Sequence, residues 1–105
     1  MERYYNENGD LAVLVSHDFG AGWSTWHVPA LAYDKRIVEY WIANPKASEK
    51  EVEEYLESIG YDNVYAGGYY QIQLEYVPKG SIFRISEYDG RELIEYQEDG
   101  GWIIA

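Results

Sequence analysis

The hydrophobic period of this chain changes once, at Gly60, and that change restricts its fold class more than any other feature. Before it, Val52, Tyr55, Leu56 and Ile59 fall at i, i+3, i+4 and i+7, a single helical stripe. Ser48 with Glu51 three residues on supplies a capping box at the start of that helix, and Gly60 sits where a helix C′ residue belongs. After Gly60, Tyr70, Ile72, Leu74 and Tyr76 alternate with Gln71, Gln73 and Glu75, as in a half-buried strand. A helical half followed by an alternating half predicts an α+β chain.

The remaining elements fill in around this switch. Leu11 to Val15 is a continuous apolar run and reads as a strand buried on both faces, suited to the centre of a sheet. A first helix is expected from Asp34 to Ala43, with Ile37, Val38, Trp41 and Ile42 as its stripe and Asn44-Pro45 as its stop. Asp62 to Tyr65 reads as a short strand broken by Gly67-Gly68. Pro78-Lys79-Gly80 turns the chain into a strand over Ser81–Tyr88, and Asp89-Gly90 is a type I′ hairpin signal before Arg91–Gln97. Asp99-Gly100-Gly101 turns again before a last strand, Trp102-Ile103-Ile104. The expected architecture is one domain over residues 1–105: an antiparallel meander of about five strands with two helices on one face.

Composition narrows the function classes. At 105 residues with 47 % hydrophobic content, the chain can build a core without disulfides or metals. The absence of cysteine removes thiolate zinc sites and thiol nucleophiles. Met1 leads into polar residues, and no run approaches the ~18 apolar residues of a membrane span, so the expectation is a soluble cytoplasmic protein. Nineteen acids against eight bases leave a net charge of −11, which opposes direct contact with nucleic acid or anionic membranes. Such a field suits a basic partner surface. Twelve tyrosines and four tryptophans exceed what so small a core can absorb, which points to a contact surface and is compatible with a homodimer.

Asp18 to His27 is the densest stretch, with two glycines, two tryptophans, a serine, a threonine and a histidine. Gly20-Ala21-Gly22 after a strand has the form of an anion-binding turn, but no lysine accompanies it and Asp18 lies beside it. Asp18-Phe19-Gly20 matches a kinase metal-binding tripeptide in a chain too short for a kinase. Ser24 with His17, His27 and Asp18 holds the residue types of a hydrolytic triad without a nucleophile elbow. His17, Asp18 and His27 lack the spacing of known metal sites. The simplest reading is structural: Trp23 and Trp26 pin the loop to the sheet, and the histidines satisfy backbone groups. No cofactor is expected.

The carboxylates carry the functional expectation. Glu49, Glu51, Glu53, Glu54 and Glu57 crowd the outer face of the second helix. Glu75, Glu87, Asp89, Glu92, Glu95, Glu98 and Asp99 decorate the strands and turns. A scaffold of spaced carboxylates imitates part of the phosphate array of DNA. A partner-binding face of Glu49, Glu53, Glu54, Glu57, Glu87, Asp89 and Glu92 with Trp23 and Trp26 is therefore expected. The alternative is a nucleotide sponge, in which Trp23, Trp26, Tyr69 and Tyr70 sandwich a base and Arg36, Arg84 or Arg91 meets its phosphate.

Three segments stand in order: Gly20-Ala21-Gly22-Trp23-Ser24-Thr25-Trp26, Tyr65-Ala66-Gly67-Gly68, and Phe83-Arg84-Ile85-Ser86-Glu87-Tyr88-Asp89-Gly90 with Glu92 and a terminal Trp102-Ile103. This set resembles a family of small acidic proteins encoded by bacteriophages and prophages. The resemblance implies an accessory protein that blocks a host defence factor, of which anti-CRISPR proteins are the prominent class and sequestration of cyclic-nucleotide signals another. It implies no catalytic residues. The partner so implied is a basic host protein such as a CRISPR effector, met in the host cytoplasm.

Overall fold

The computed structural model describes residues 1–97 and 103–105. Leu11–Ser16 forms β1, and all six of its residues are buried. Three helices follow: a single turn α1 (Ala30–Tyr33), α2 (Lys35–Ala43) and α3 (Glu49–Ser58). Four further strands complete the fold: β2 (Ile72–Val77), β3 (Ile82–Tyr88), β4 (Arg91–Tyr96) and β5 (Ile103–Ile104). The α+β class is as expected, but the five strands divide into two antiparallel sheets, β1-β2 and β4-β3-β5.

The division follows from β1. Ala12 and Leu14 face the helices and join Trp23, Leu31, Ile37, Val38, Val52, Leu56 and Tyr69 in one core cluster. Leu11, Val13 and Val15 face the other way and join Ala32 and Tyr33 of α1, Val77 and Phe83, with Ile85, Ile94 and Ile103 at the border. Helices on one face alone would leave that second set in water, at roughly 1.5–3 kcal/mol for each large side chain. The three-stranded sheet covers it. Its strands alternate, with Phe83, Ile85 and Ile94 inward and Arg84, Ser86 and Leu93 outward, so each needs only one covered face. β1 is thus the middle layer, not the centre of one broad sheet. Its second edge is covered by the N-terminal segment, where Tyr4 accepts from the Ala12 N–H and Tyr5 bridges to Leu11.

The helix ends obey local chemistry. Asp34 caps α2 by accepting from the Arg36 N–H. Both arms of the Ser48–Glu51 capping box are made, at 3.0 and 3.2 Å, and Gly60 takes φ +100° beyond α3. Ile42, expected in the α2 stripe, is instead 47 % exposed, because Tyr40 and Trp41 carry the packing toward the core.

Two other expectations change. Asp62 to Tyr65 is not a strand; Asn63 adopts a left-handed φ of +59° and the segment crosses as a loop. Tyr69–Gln71 is a 3₁₀ turn, which inverts the phase before β2: Gln71 is buried and Tyr70 faces solvent. The hairpin is as expected, with φ +51° at Asp89 and +86° at Gly90, both positive as type I′ requires. The Asp99-Gly100-Gly101 turn, the start of the last strand at Trp102, and Glu98 lie outside the described residues. No helix among the described residues is long and apolar enough to cross a membrane.

Candidate functional site

The register of β3 and β4 sets up the loop that follows β1. Glu87 stands directly opposite Glu92, on the same inward face as Ile85 and Ile94. Glu92 is wholly buried, and its carboxylate is ringed by donors from the loop. Oε1 accepts from the Ser16 N–H at 2.8 Å. Oε2 accepts from the Trp23 N–H at 2.8 Å, the Thr25 N–H at 3.0 Å and the Thr25 hydroxyl. The loop after β1 is therefore a cradle filled by the chain's own carboxylate, its donors coming from Ser16, Trp23 and Thr25 and not from the Gly20-Ala21-Gly22 turn. Glu92 is accordingly not part of a partner-binding surface. The correction has a simple cause: Glu92 shares strand parity with Ile94 and so points inward.

Close backbone approach holds the same loop from two sides. A Cβ on Gly68 would lie 2.6 Å from the Ala21 carbonyl oxygen, and one on Gly90 would lie 2.5 Å from the Ala21 nitrogen. The Gly20 N–H donates to the Asp89 carbonyl, and the Gln71 side-chain amide donates to the Ser16 hydroxyl and the Asp18 carbonyl. Trp23 is fully buried; its indole donates to the Leu31 carbonyl and meets Tyr69 edge-on at 5.8 Å. It is an anchor rather than the contact residue expected.

Trp26 has the opposite fate. It is 42 % exposed, lies nearly parallel to Tyr65 (19° between planes, centroids 6.2 Å apart), and donates from Nε1 to Glu87 Oε2 at 3.1 Å. His27 Nε2 accepts from the Tyr65 N–H, fixing the stretch that carries the second ring. Glycines make room for both rings: Gly22 under the Trp26 pyrrole edge and Gly67 under the Tyr65 hydroxyl end. Hydrogen bonds from the Gly90 N–H and the Trp26 indole hold the Glu87 carboxyl below its ordinary range.

On the other side of the pair, Glu53 accepts from the Ala66 N–H at 3.1 Å, which fastens α3 to the Tyr65 segment. Glu49, Glu53 and Glu57 stand at i, i+4 and i+8, one ridge along α3, and Glu49, Glu54 and Glu57 are exposed. Asp89 is exposed at the hairpin tip. The surface reads across as carboxylate ridge, tyrosine, tryptophan, carboxylate hairpin.

The residues of the sponge reading do not converge. Trp23 is in the core, and Tyr69 is there too, 2 % exposed, donating its hydroxyl to the Asn44 carbonyl with its ionisation suppressed by burial. Tyr70 points away, 79 % exposed. Arg36 grips Asp34 at 2.8 Å, a carboxylate that is itself 1 % exposed and also accepts from the Tyr61 hydroxyl. Arg91 lies over Phe19 and Arg84 pairs with Glu95. Ser24 is buried, and no hydrogen bond among the described residues joins its hydroxyl to His17 or His27. No group of three metal-ligating side chains occurs among the described residues.

Tyr65 is the site residue that sequence reasoning left out of the contact face. Its signal was Gly67, two residues on, whose missing Cβ leaves the space the ring occupies. Compared with known proteins, the chain matches no family model, none of the curated proteins and none of the solved structures.

Proposed function

We propose that this chain is a non-enzymatic binding protein whose acidic face docks on the basic, nucleic-acid-binding surface of another protein and occupies it. One observation carries the reading: the exposed Trp26–Tyr65 pair is bracketed by carboxylates on both flanks, Glu53 with its α3 ridge on one and Glu87 with Asp89 on the other. Aromatic anchors inside a charged rim are the usual anatomy of a protein interface. The net charge of −11 supplies long-range attraction toward a basic surface and repels nucleic acid itself. Under the resemblance to phage-encoded acidic proteins, the partner is a host defence effector, a CRISPR nuclease being the type, and the protein acts in the cytoplasm of the infected cell.

The test is capture from host lysate at low and at high salt, with mass spectrometry of bound proteins. The expected result is a basic nucleic-acid-binding protein that is released by salt and has lost its nucleic acid. Charge reversal belongs at Glu49, Glu54 and Glu57, which are exposed; reversal at Glu53 would also break its bond to the Ala66 N–H. Capture that persists unchanged in the Glu49→Lys, Glu54→Lys, Glu57→Lys variant overturns the proposal.

A further inference from the structure

The aromatic pair has acceptors fixed at both ends, and their arrangement selects among cations. Glu87 is held by one oxygen only: Oε2 takes the Trp26 indole N–H and the Gly90 N–H, and Oε1 takes no hydrogen bond among the described residues. Glu53 is held likewise by Oε2, through the Ala66 N–H. Neither carboxylate forms an ion pair with a lysine or arginine of this chain among the described residues. Because an indole N–H bond lies in the ring plane, the Glu87 carboxylate sits at the rim of Trp26, and its Oε1 keeps its acceptor capacity for a group docked on the exposed pair. A guanidinium is planar, weakly hydrated and carries forked N–H donors, so it can stack on an aromatic face and bond sideways at once. An ammonium is a compact hydrated point charge and gains only the attraction.

We infer that Trp26, Tyr65 and Glu87 form a reading site for an arginine side chain of a basic partner, and that this site prefers arginine over lysine. The inference rests on the docking reading above and adds to it the side chain that is read. Charge complementarity fixes the occupant: a nucleotide would bring a phosphate to a pair held beside the Glu87 carboxylate, whereas an arginine brings the opposite sign.

Two peptides of equal length and charge, one carrying arginines and one lysines, serve as probes at low salt, with the Trp26 indole N–H resonance as readout. The arginine peptide is expected to shift that resonance and to bind about tenfold more tightly than the lysine peptide. Glu87→Gln and Trp26→Ala (the latter read by titration calorimetry, since it removes the reporting indole) should each reduce the arginine peptide to the affinity of the lysine peptide, with far-UV circular dichroism unchanged. Gly67→Ala, which displaces the Tyr65 ring, should do so in part. Equal affinities for the two peptides with an unshifted Trp26 overturn the arginine site but leave charge-driven docking standing. Failure of both peptides to bind overturns both readings. A Trp26 shift produced by adenosine monophosphate instead makes the pair a base-stacking platform and overturns the inference. Self-association lost in Trp26→Ala, seen by sedimentation, assigns the pair to a second copy and overturns it too.

Discussion

At the scale of single residues, the fold turns on two buried carboxylates in different company. Glu92 forms no ion pair among the described residues; three backbone N–H groups and one hydroxyl surround it. Removing the carboxylate strands the Ser16 and Trp23 N–H groups away from water, at about 1–3 kcal/mol for each unsatisfied group, while the exposed Thr25 can turn to solvent. Glu92→Ala should therefore lose about 3–5 kcal/mol in urea unfolding, a large share of the ~5–15 kcal/mol that holds a domain of this size. Glu92→Gln keeps the volume but turns an NH₂ toward donors, and about 2 kcal/mol is the expected loss. A null effect in both variants would refute the cradle. Asp34 is the second case. Burial raises its pKa, but hydrogen bonds from Arg36 and Tyr61 outweigh that, and the net direction is down. A folded-state pKa below the unfolded one contributes stability above about pH 4 that is lost as pH falls through the folded value. Stability measured from about pH 6 to about pH 2 should fall more steeply in the wild type than in Asp34→Asn. Tyr61, pushed up to about 12 by burial and by Asp34, works at the other end. Its contribution is whole below about pH 10 and is lost as pH rises through its folded pKa. Neither buried carboxylate was legible by residue type alone, since Asp and Glu are rarely buried. Parity with Ile94 was the available sign for Glu92, and the position before α2 was the sign for Asp34 as a cap.

At the scale of elements, the legible parts were those set by neighbouring residues. The Ser48–Glu51 box, the left-handed Gly60 and the Asp89-Gly90 turn all depend on chemistry within about four residues, and all stand where the sequence put them. The separation into two sheets was not local. It depended on β1 needing cover on both faces, a demand that alternation in β3 and β4 answers only from a separate layer. The 3₁₀ turn at Tyr69–Gln71 likewise exists to bring Gln71 to Ser16 and Asp18, partners more than fifty residues away. The glycines divide on the same line. Gly90 combines φ +86° with a Cβ position 2.5 Å from loop backbone, whereas the nearest atoms to a Cβ at Gly67 are at the tip of the exposed Tyr65 ring. Gly90→Ala should cost about 2–4 kcal/mol, from strain and enforced backbone movement. Gly67→Ala should stay within about 1 kcal/mol, because an exposed side chain can swing aside. Parallel urea melts of the two variants decide the matter; equal losses would mean that the loop is not clamped between the hairpin and the Gly68 segment.

At the scale of the whole molecule, one charge distribution acts on folding and on binding with opposite signs. The molecule spans 37 × 31 × 21 Å. At about 0.01 M salt the Debye length is ~30 Å, so its net charge of −11 repels itself across nearly the whole body. At about 0.1 M it is ~10 Å, and the repulsion shrinks to near neighbours such as the Glu49–Glu53–Glu57 ridge. Added salt should therefore stabilise the isolated protein by on the order of 1 kcal/mol, roughly 4–8 °C in Tm. The same addition should weaken docking on a basic partner, whose attraction is screened over the same distances. The Glu49→Lys, Glu54→Lys, Glu57→Lys variant separates the two effects. Each change adds two charges, so the net charge moves from −11 to −5. Its Tm should be higher than wild type at low salt and depend less on salt, while its binding to the basic partner collapses. A variant that loses binding and also loses stability would trace both to damage in α3. A variant that gains stability and keeps binding would show that the acidic ridge is a burden on the fold with no part in recognition, and would overturn the reading of an acidic face docked on a basic surface.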